Sequence, residues 1–201
     1  MSKVTPAGSE TDLDLIRRAR KGDEQAFTML VRRYEEVVYS FAFKVCRDRL
    51  KATETVQDTF INVFLKLRQF DGRSKFSTWL YSIVTNNCLM KHRRTKLEAS
   101  LVSIQEEGPG DDETPVAQLP DRAATPADRV LSVELKEVMD QAIQKLPMEY
   151  RVVFVLSDIE DVKVKDIARI LKLSLPAVKS RLRRARIALK NQLQPYIKTA
   201  S

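Results

Sequence analysis

"LPAVKSRLRRARIALK", residues 175–190, sets six basic side chains (Lys179, Arg181, Arg183, Arg184, Arg186, Lys190) around a thin apolar stripe. The stripe is Val178, Leu182, Ala185 and Leu189, spaced four, three and four, which is one face of a helix. Pro176 suits the first turn, where its missing N–H costs nothing, and Ser174 is the expected N-cap, with Leu175 as the alternative. A solvated surface, a membrane surface and nucleic acid compete as the surroundings of such a helix. Solvated helices usually mix charge signs, but residues 177–190 hold no acid. A membrane-surface helix wants bulky groups along its apolar face, and Ala185 narrows this one. Nucleic acid is therefore the favoured partner, and membrane contact is not expected.

Just upstream, "VKVKDIARIL" (162–171) places Val164, Ile167, Ala168 and Leu171 on one helical face. A short amphipathic helix, a tight turn and a basic second helix make a helix-turn-helix, whose second helix enters the major groove by its start. That start offers Ser174, Pro176, Ala177, Lys179 and Ser180. Lys179 can reach guanine O6 and N7, and Ala177 can touch a thymine methyl. Arg183, Arg184 and Arg186, further along, suit backbone phosphates. The turn lacks glycine; Lys172-Leu173 stands there.

The chain of 201 residues carries a net charge of +8 and is 43% hydrophobic. That composition describes a folded basic protein with a polyanionic partner. No apolar run has signal-peptide or membrane-span character. Two cysteines, Cys46 and Cys88, make a disulfide framework unlikely and suit a reducing, cytoplasmic home. Proline is absent from Ala7 to Gly108, then recurs at 109, 115, 120 and 126. Over 98–127 seven acids face Arg122 alone, a net of −6 that leaves +14 for the flanks. The expected organisation is a helical domain over 1–97, an acidic tether over 98–127 and a helix-turn-helix domain over 128–201.

Everything outside the tether reads as helix, and the fold class is all-α, two small bundles. Gly22 ends a short opening helix and Asp23 caps the next, in which Phe27, Leu30, Val31, Tyr34, Val38, Phe41 and Val45 keep helical spacing. A further helix covers about 51–67, with Val56, Phe60, Val63 and Leu67 inward. "FDGRSK" (70–75) breaks the pattern at Gly72 and residues 76–94 resume it. In the last domain 128–144 is helical and Pro147 opens the next helix.

"GRSKFSTWLYSIVTNNCLMKHRR" (72–94) joins a basic loop (Arg73, Lys75), rings, small polar groups and a basic end. Aromatic platforms with a positive rim suit single-stranded nucleic acid. Phe76, Leu80, Ile83 and Val84 are expected in the core, while Trp79 fits core or base contact equally. Ser82, Asn86, Asn87, Lys91 and Arg93 complete the candidate set, with Asn86 the better placed for base edges.

Taken together, "ATETVQDTFINVFLKL" (52–67), "FSTWLYSIVTNNCLMKHRR" (76–94) and "LPMEYRVVFVLSDIEDVKVKDIARILKLSLPAVKSRLRRARIAL" (146–189) resemble bacterial sigma factors of the extracytoplasmic-function group. The resemblance implies a transcription initiation factor, without cofactor or enzymatic activity, that directs RNA polymerase core to promoters. Its first domain would grip the clamp helices of the β′ subunit and read the melted minus-ten element; its last would read the minus-thirty-five element as duplex. Glu54, Gln57, Asp58 and Phe60 fall on the polymerase-binding signature, although Phe60 fits the core as well. The 70–75 loop falls where a flipped base is captured, at a cost of a few kcal/mol that loop and polymerase contacts offset. Residues Ser174–Arg186, including "VKSR" at Val178–Arg181, fall on the minus-thirty-five helix. The tether falls where the family threads a linker through the RNA exit channel, and an anti-sigma partner is implied.

Several positions depart from the family pattern. Lys163 replaces a small capping residue, Pro176-Ala177 stands for Gly-Thr, and Thr53 and Thr55 for an acid and Leu. These departures imply an altered promoter preference and an adjusted affinity for polymerase. An enzyme is the first rival: Cys88 and His92, four apart, with Cys46 as a third ligand, could in principle hold a metal. Two ligands are too few, both cysteines are expected to be structural, and no metal site is expected. Five glycines, none after Gly110, leave no P-loop or dinucleotide fingerprint. A stand-alone repressor or activator is the second rival, but it would need a dimerisation domain that the chain does not offer.

Overall fold

The computed structural model describes residues 10–102 and 138–199, and every regular element within them is helical. The first half holds α1 (Asp12–Ala19), α2 (Glu24–Cys46), α3 (Arg49–Lys66), a 3₁₀ turn (Leu67–Gln69) and α4 (Phe76–Val102). The second holds α5 (138–145), α6 (Met148–Phe154) continued by a wide π turn (Val155–Ile159), α7 (Val164–Leu171) and α8 (Leu175–Thr199). α4 runs past the boundary expected at residue 97, and α8 runs well past the basic stretch. The rest of the expected tether, from 103 onwards, and residues 128–137 lie outside the described residues.

Local chemistry sets the helix ends. Asp23 and Asp48 cap α2 and α3, accepting the N–H groups of Ala26 at 3.0 Å and Lys51 at 2.9 Å. Gly22, at φ 93°, turns the chain into α2 through the left-handed region, where only glycine sits without strain. Lys172 occupies that same region at φ 54° to end α7. It stands where the expected turn glycine is missing, and the Leu173 N–H returns to Ala168 O at 2.9 Å.

The first core gathers Leu15, Leu30, Val38, Phe41, Val45, Val63, Leu80 and Val84, all buried. In α3 the stripe turned fully inward is Ala52, Thr55, Thr59 and Val63, while Val56 and Phe60 sit half-buried at its rim. The two threonines pass for apolar residues because each hydroxyl donates to the carbonyl four residues back, both at 2.6 Å, leaving a methyl for the core. The second core joins Ile143, Leu146, Val153, Leu156 and Ile167 to Val178, Leu182, Ala185 and Leu189 of α8. Burying each large aliphatic side chain contributes about 1.5–3 kcal/mol.

The two halves touch. α7 packs against α4, and the Tyr81 hydroxyl of α4 donates to Oε2 of Glu160, just past the π turn, at 2.5 Å. Arg151 reaches across from α6: Nη1 donates to Val45 O at 2.7 Å, and Nη2 to Gln144 O at 3.0 Å and Leu146 O at 2.6 Å. Burial lowers its pKa to about 10, so it remains a cation at neutral pH, held by carbonyls alone among these bonds.

Candidate nucleic-acid and polymerase interfaces

Because Val178, Leu182, Ala185 and Leu189 are buried together, α8 presents its opposite side to solvent. Ser174 is the cap, its Oγ accepting the Ala177 N–H at 3.3 Å; Leu175 opens the helix proper. Pro176, Lys179, Ser180 and Arg183 are exposed and Ala177 is half-buried. The three other arginines are engaged. Arg181 lies 3.5 Å from Glu149, Arg184 Nη1 donates to the Tyr150 hydroxyl at 3.3 Å, and Arg186 grips Asp158 through Nε at 2.9 Å and Nη2 at 2.8 Å. Burial raises the Asp158 pKa, but hydrogen bonds from Arg186 and Ser157 outweigh it and hold this carboxyl below its ordinary value. Arg184 and Arg186, expected to meet phosphates, are thus tied back to α6 and the π turn.

The 70–75 loop hangs from an aromatic cluster. Phe70, Phe76 and Trp79 meet with ring centroids 5.4–5.6 Å apart, and Trp79 remains half-buried among them. Arg20 fixes the loop from behind by donating to the carbonyls of Leu67 and Phe70. Gly72 turns it at φ 76°; Lys75 is exposed, as is Arg73, which pairs with Asp71 at 3.1 Å.

Along α4, Asn86 and Arg93 are exposed, and half-buried Ser82 donates to Trp79 O at 2.6 Å. Two expected DNA contacts lie elsewhere. Asn87 is buried in the seam with α3, donating to Thr59 Oγ1 at 3.1 Å and accepting from Asn62 at 3.3 Å. Lys91 bridges Glu54 at 2.9 Å and Asp58 at 3.0 Å. Burial opposes its charge, but those two carboxylates more than compensate and raise its pKa.

The acids Glu54 and Asp58 therefore share a cation on the upper part of α3. Below them Gln57 and Phe60 line an apolar groove with Phe27, Ile61, Phe64 and Leu65. Ile61, Phe64 and Leu65 are each about 60% exposed, and Phe64 meets Phe27 edge-on at 5.2 Å. An exposed apolar cluster of this kind is a feature that docking surfaces use. Ile61, Phe64 and Leu65 escaped the sequence reading. Their signal is the surplus in "FINVFLKL" (60–67), which has more apolar residues than one helical face can hold.

Residues 30–98 match the family Sigma-70 region 2, and residues 136–189 match Sigma-70 region 4. The chain is 34% identical over 179 residues to the ECF RNA polymerase sigma factor SigW of Bacillus subtilis, covering 89% of this chain and 95% of that one. The chain belongs to the extracytoplasmic-function sigma factors. The sigma factor is also 31% identical to the RNA polymerase sigma-H factor of Pseudomonas aeruginosa, covering 95% of this chain and 98% of the relative. Its identity with the ECF RNA polymerase sigma-E factor of Escherichia coli K12 is 32%, covering 94% and 97%. Its fold resembles the sigma factor RpoE in complex with the anti-sigma factor NepR from Bartonella quintana (TM-score 0.67, 21% identity, 84% of this chain and 96% of that one). It also resembles CnrH in complex with the cytosolic domain of CnrY (TM-score 0.60, 24% identity, 92% and 99%). Region 2 takes in most of α2 with α3 and much of α4; region 4 takes in the helix-turn-helix. Among the described residues no helix is long and apolar enough to cross a membrane, and no group of His, Cys, Asp and Glu is placed to hold a metal ion.

Proposed function

We propose that this sigma factor selects promoters by setting the start of α8 in the major groove of a duplex minus-thirty-five element, while the 70–75 loop and the exposed side of α4 take the melted minus-ten strand. The observation that carries this reading is the first turns of α8. An apolar stripe locks the helix down, and Lys179, Ser180 and Arg183 stand clear on the other side. Lys179 and Ala177 meet base edges, with Arg183 as the leading phosphate contact and Arg181, Arg184 and Arg186 in support. Arg73, Lys75, Trp79, Ser82, Asn86 and Arg93 make the single-strand surface, where stacking on aromatic groups and a positive rim work together. The apolar groove of α3, with Glu54, Gln57, Asp58 and Phe60 along it, receives the clamp helices of the polymerase β′ subunit. The sigma factor acts by binding, and the polymerase performs the chemistry. An anti-sigma factor would act by covering these same faces.

Run-off transcription with purified polymerase core on a randomised promoter library tests the proposal. Transcripts should start only when the sigma factor is present and should share two separated sequence elements. Altering Lys179 should change preference in the upstream element and altering Asn86 in the downstream one. A stable DNA-bound dimer that ignores polymerase core on gel filtration would instead identify a stand-alone regulator.

A further inference from the structure

Cys46 is the last residue of α2 and Cys88 lies midway along α4, and their sulfurs are 3.2 Å apart. A disulfide needs about 2.05 Å, so the sulfurs have only about 1.2 Å to close, within reach of small side-chain rotations. The two thiols differ in their surroundings. Cys88 is fully buried, while Cys46 is half-buried at the end of α2, next to the left-handed turn at Arg47. The Thr55 hydroxyl, 3.8 Å from Cys46 Sγ, completes the polar wall.

We propose that Cys46 and Cys88 are a reversible oxidation site for hydroperoxides, with Cys46 the attacking sulfur and Cys88 the resolving one. In the first step the Cys46 thiolate attacks one peroxide oxygen and the O–O bond breaks. Sulfur is oxidised to a sulfenic acid, the peroxide is reduced, and its other oxygen leaves and takes a proton as water or alcohol. In the second step the Cys88 sulfur displaces the hydroxyl from Cys46. The S–S bond forms, and the Cys88 proton leaves with that hydroxyl as water. A small-molecule dithiol reverses the change by exchange.

The electrostatics divide the roles in the same way. The hydrogen bond with Cys88 holds the Cys46 thiol below its ordinary pKa; burial opposes this, and Thr55, Lys91 and Arg151 reinforce it. The Cys88 thiol is pushed up by its bond to Cys46 and by burial, and it keeps its proton until the second step.

The test uses the reduced full-length chain exposed to hydrogen peroxide, quenched in acid, denatured, alkylated and weighed. Both thiols of the unaltered protein should become unavailable together. The intact mass should fall by two hydrogens, one linked peptide should join Cys46 to Cys88 within a chain, and dithiothreitol should restore both thiols. Cys88→Ala should stop at a sulfenic acid on Cys46 that dimedone captures. Cys46→Ala should leave Cys88 without a dimedone-reactive sulfenic acid at the dose that oxidises Cys46 in Cys88→Ala, because the attacking thiolate is gone. Two thiols that stay alkylatable in the unaltered protein at a dose that oxidises Cys46 in Cys88→Ala would overturn the proposal. So would a link found only between different chains. The peptide link is read on the unaltered protein, so the result stands whether or not either variant folds.

Discussion

Arg183 and Arg186 lie three positions apart on α8 in different electrostatic settings, so the proposed DNA contacts should draw on them unequally. Arg183 carries no ion pair among the described residues, whereas Arg186 is held through two nitrogens by Asp158. Each phosphate neutralised on duplex DNA adds about 0.9 to the slope of log affinity against log salt. If all six basic groups of 177–190 met phosphates freely, α8 would contribute a slope of about 5.4; with Lys179 on a base edge and Arg181 and Arg186 held in ion pairs, the three others leave about 2.7. A slope difference of 0.9 changes the affinity lost between 50 and 200 mM salt by about 3.5-fold, well within the reach of fluorescence anisotropy. Arg183→Gln should remove that full increment on both a preferred and a scrambled duplex. For Arg186→Gln the change should be much smaller: in leaving Asp158, Arg186 exposes a carboxylate that takes up the cation the DNA releases. Lys179→Ala should cost about 1–3 kcal/mol on the preferred duplex and almost nothing on the scrambled one. Equal slope losses for Arg183→Gln and Arg186→Gln would show that the Asp158 pair does not persist against DNA. Identical behaviour of Lys179→Ala and Arg183→Gln on both duplexes would refute the groove placement.

Three further outcomes follow from the first half of the molecule. Phe64→Asp should weaken co-elution with polymerase core at least tenfold, about 1.4 kcal/mol, yet leave the thermal midpoint within a degree or two, since Phe64 lies mostly in solvent; a collapse of the helical circular dichroism signal would make it a core residue instead. Asp58→Arg with Gln57→Ala should also reduce core binding while costing at most about 1 kcal/mol of stability, because only a surface pair with Lys91 is lost. Asn87→Ala should lower stability by about 1–3 kcal/mol in urea titration, as it removes the acceptor of the Asn62 amide and a donor to Thr59; unchanged stability with lost minus-ten binding would return Asn87 to the DNA surface.

Helical periodicity made the all-α architecture legible, and local capping chemistry placed Asp23, Ser174 and the turn at Gly22. Legibility failed where partners come from far along the chain. Residues 177–190 contain no acid, which read as a bare basic face; Glu149 and Asp158 arrive from α6 and the π turn to engage two of its arginines. Lys91 meets Glu54 and Asp58 by tertiary packing that no local pattern encodes. Asn87 read as surplus polarity on a DNA helix because its partners, Thr59 and Asn62, themselves look like ordinary interruptions of an apolar stripe. The α3 groove was hidden for the opposite reason: Phe27 and Phe60 fit the apolar stripes, and the surplus Ile61, Phe64 and Leu65 beside them carry no periodic signal of their own.

Arg151 gives the contact between the two halves a particular thermodynamic character. Its bonds to Gln144 and Leu146 lie within the second half and need not break when the halves separate, so of the three Arg151 bonds only the one to Val45 joins the Tyr81–Glu160 bond across the seam. Making that Arg151 bond gains about 1.5–3 kcal/mol from a hydrogen bond to a charged donor. It also strips water from a cation, at a cost of several kcal/mol in a buried setting. Two terms of similar size and opposite sign leave little net grip, so this bond resembles a loosely seated hinge pin more than a rivet. A change at the seam therefore meets its resistance from the Tyr81–Glu160 bond and the apolar packing of α7 on α4, with Arg151 adding little either way.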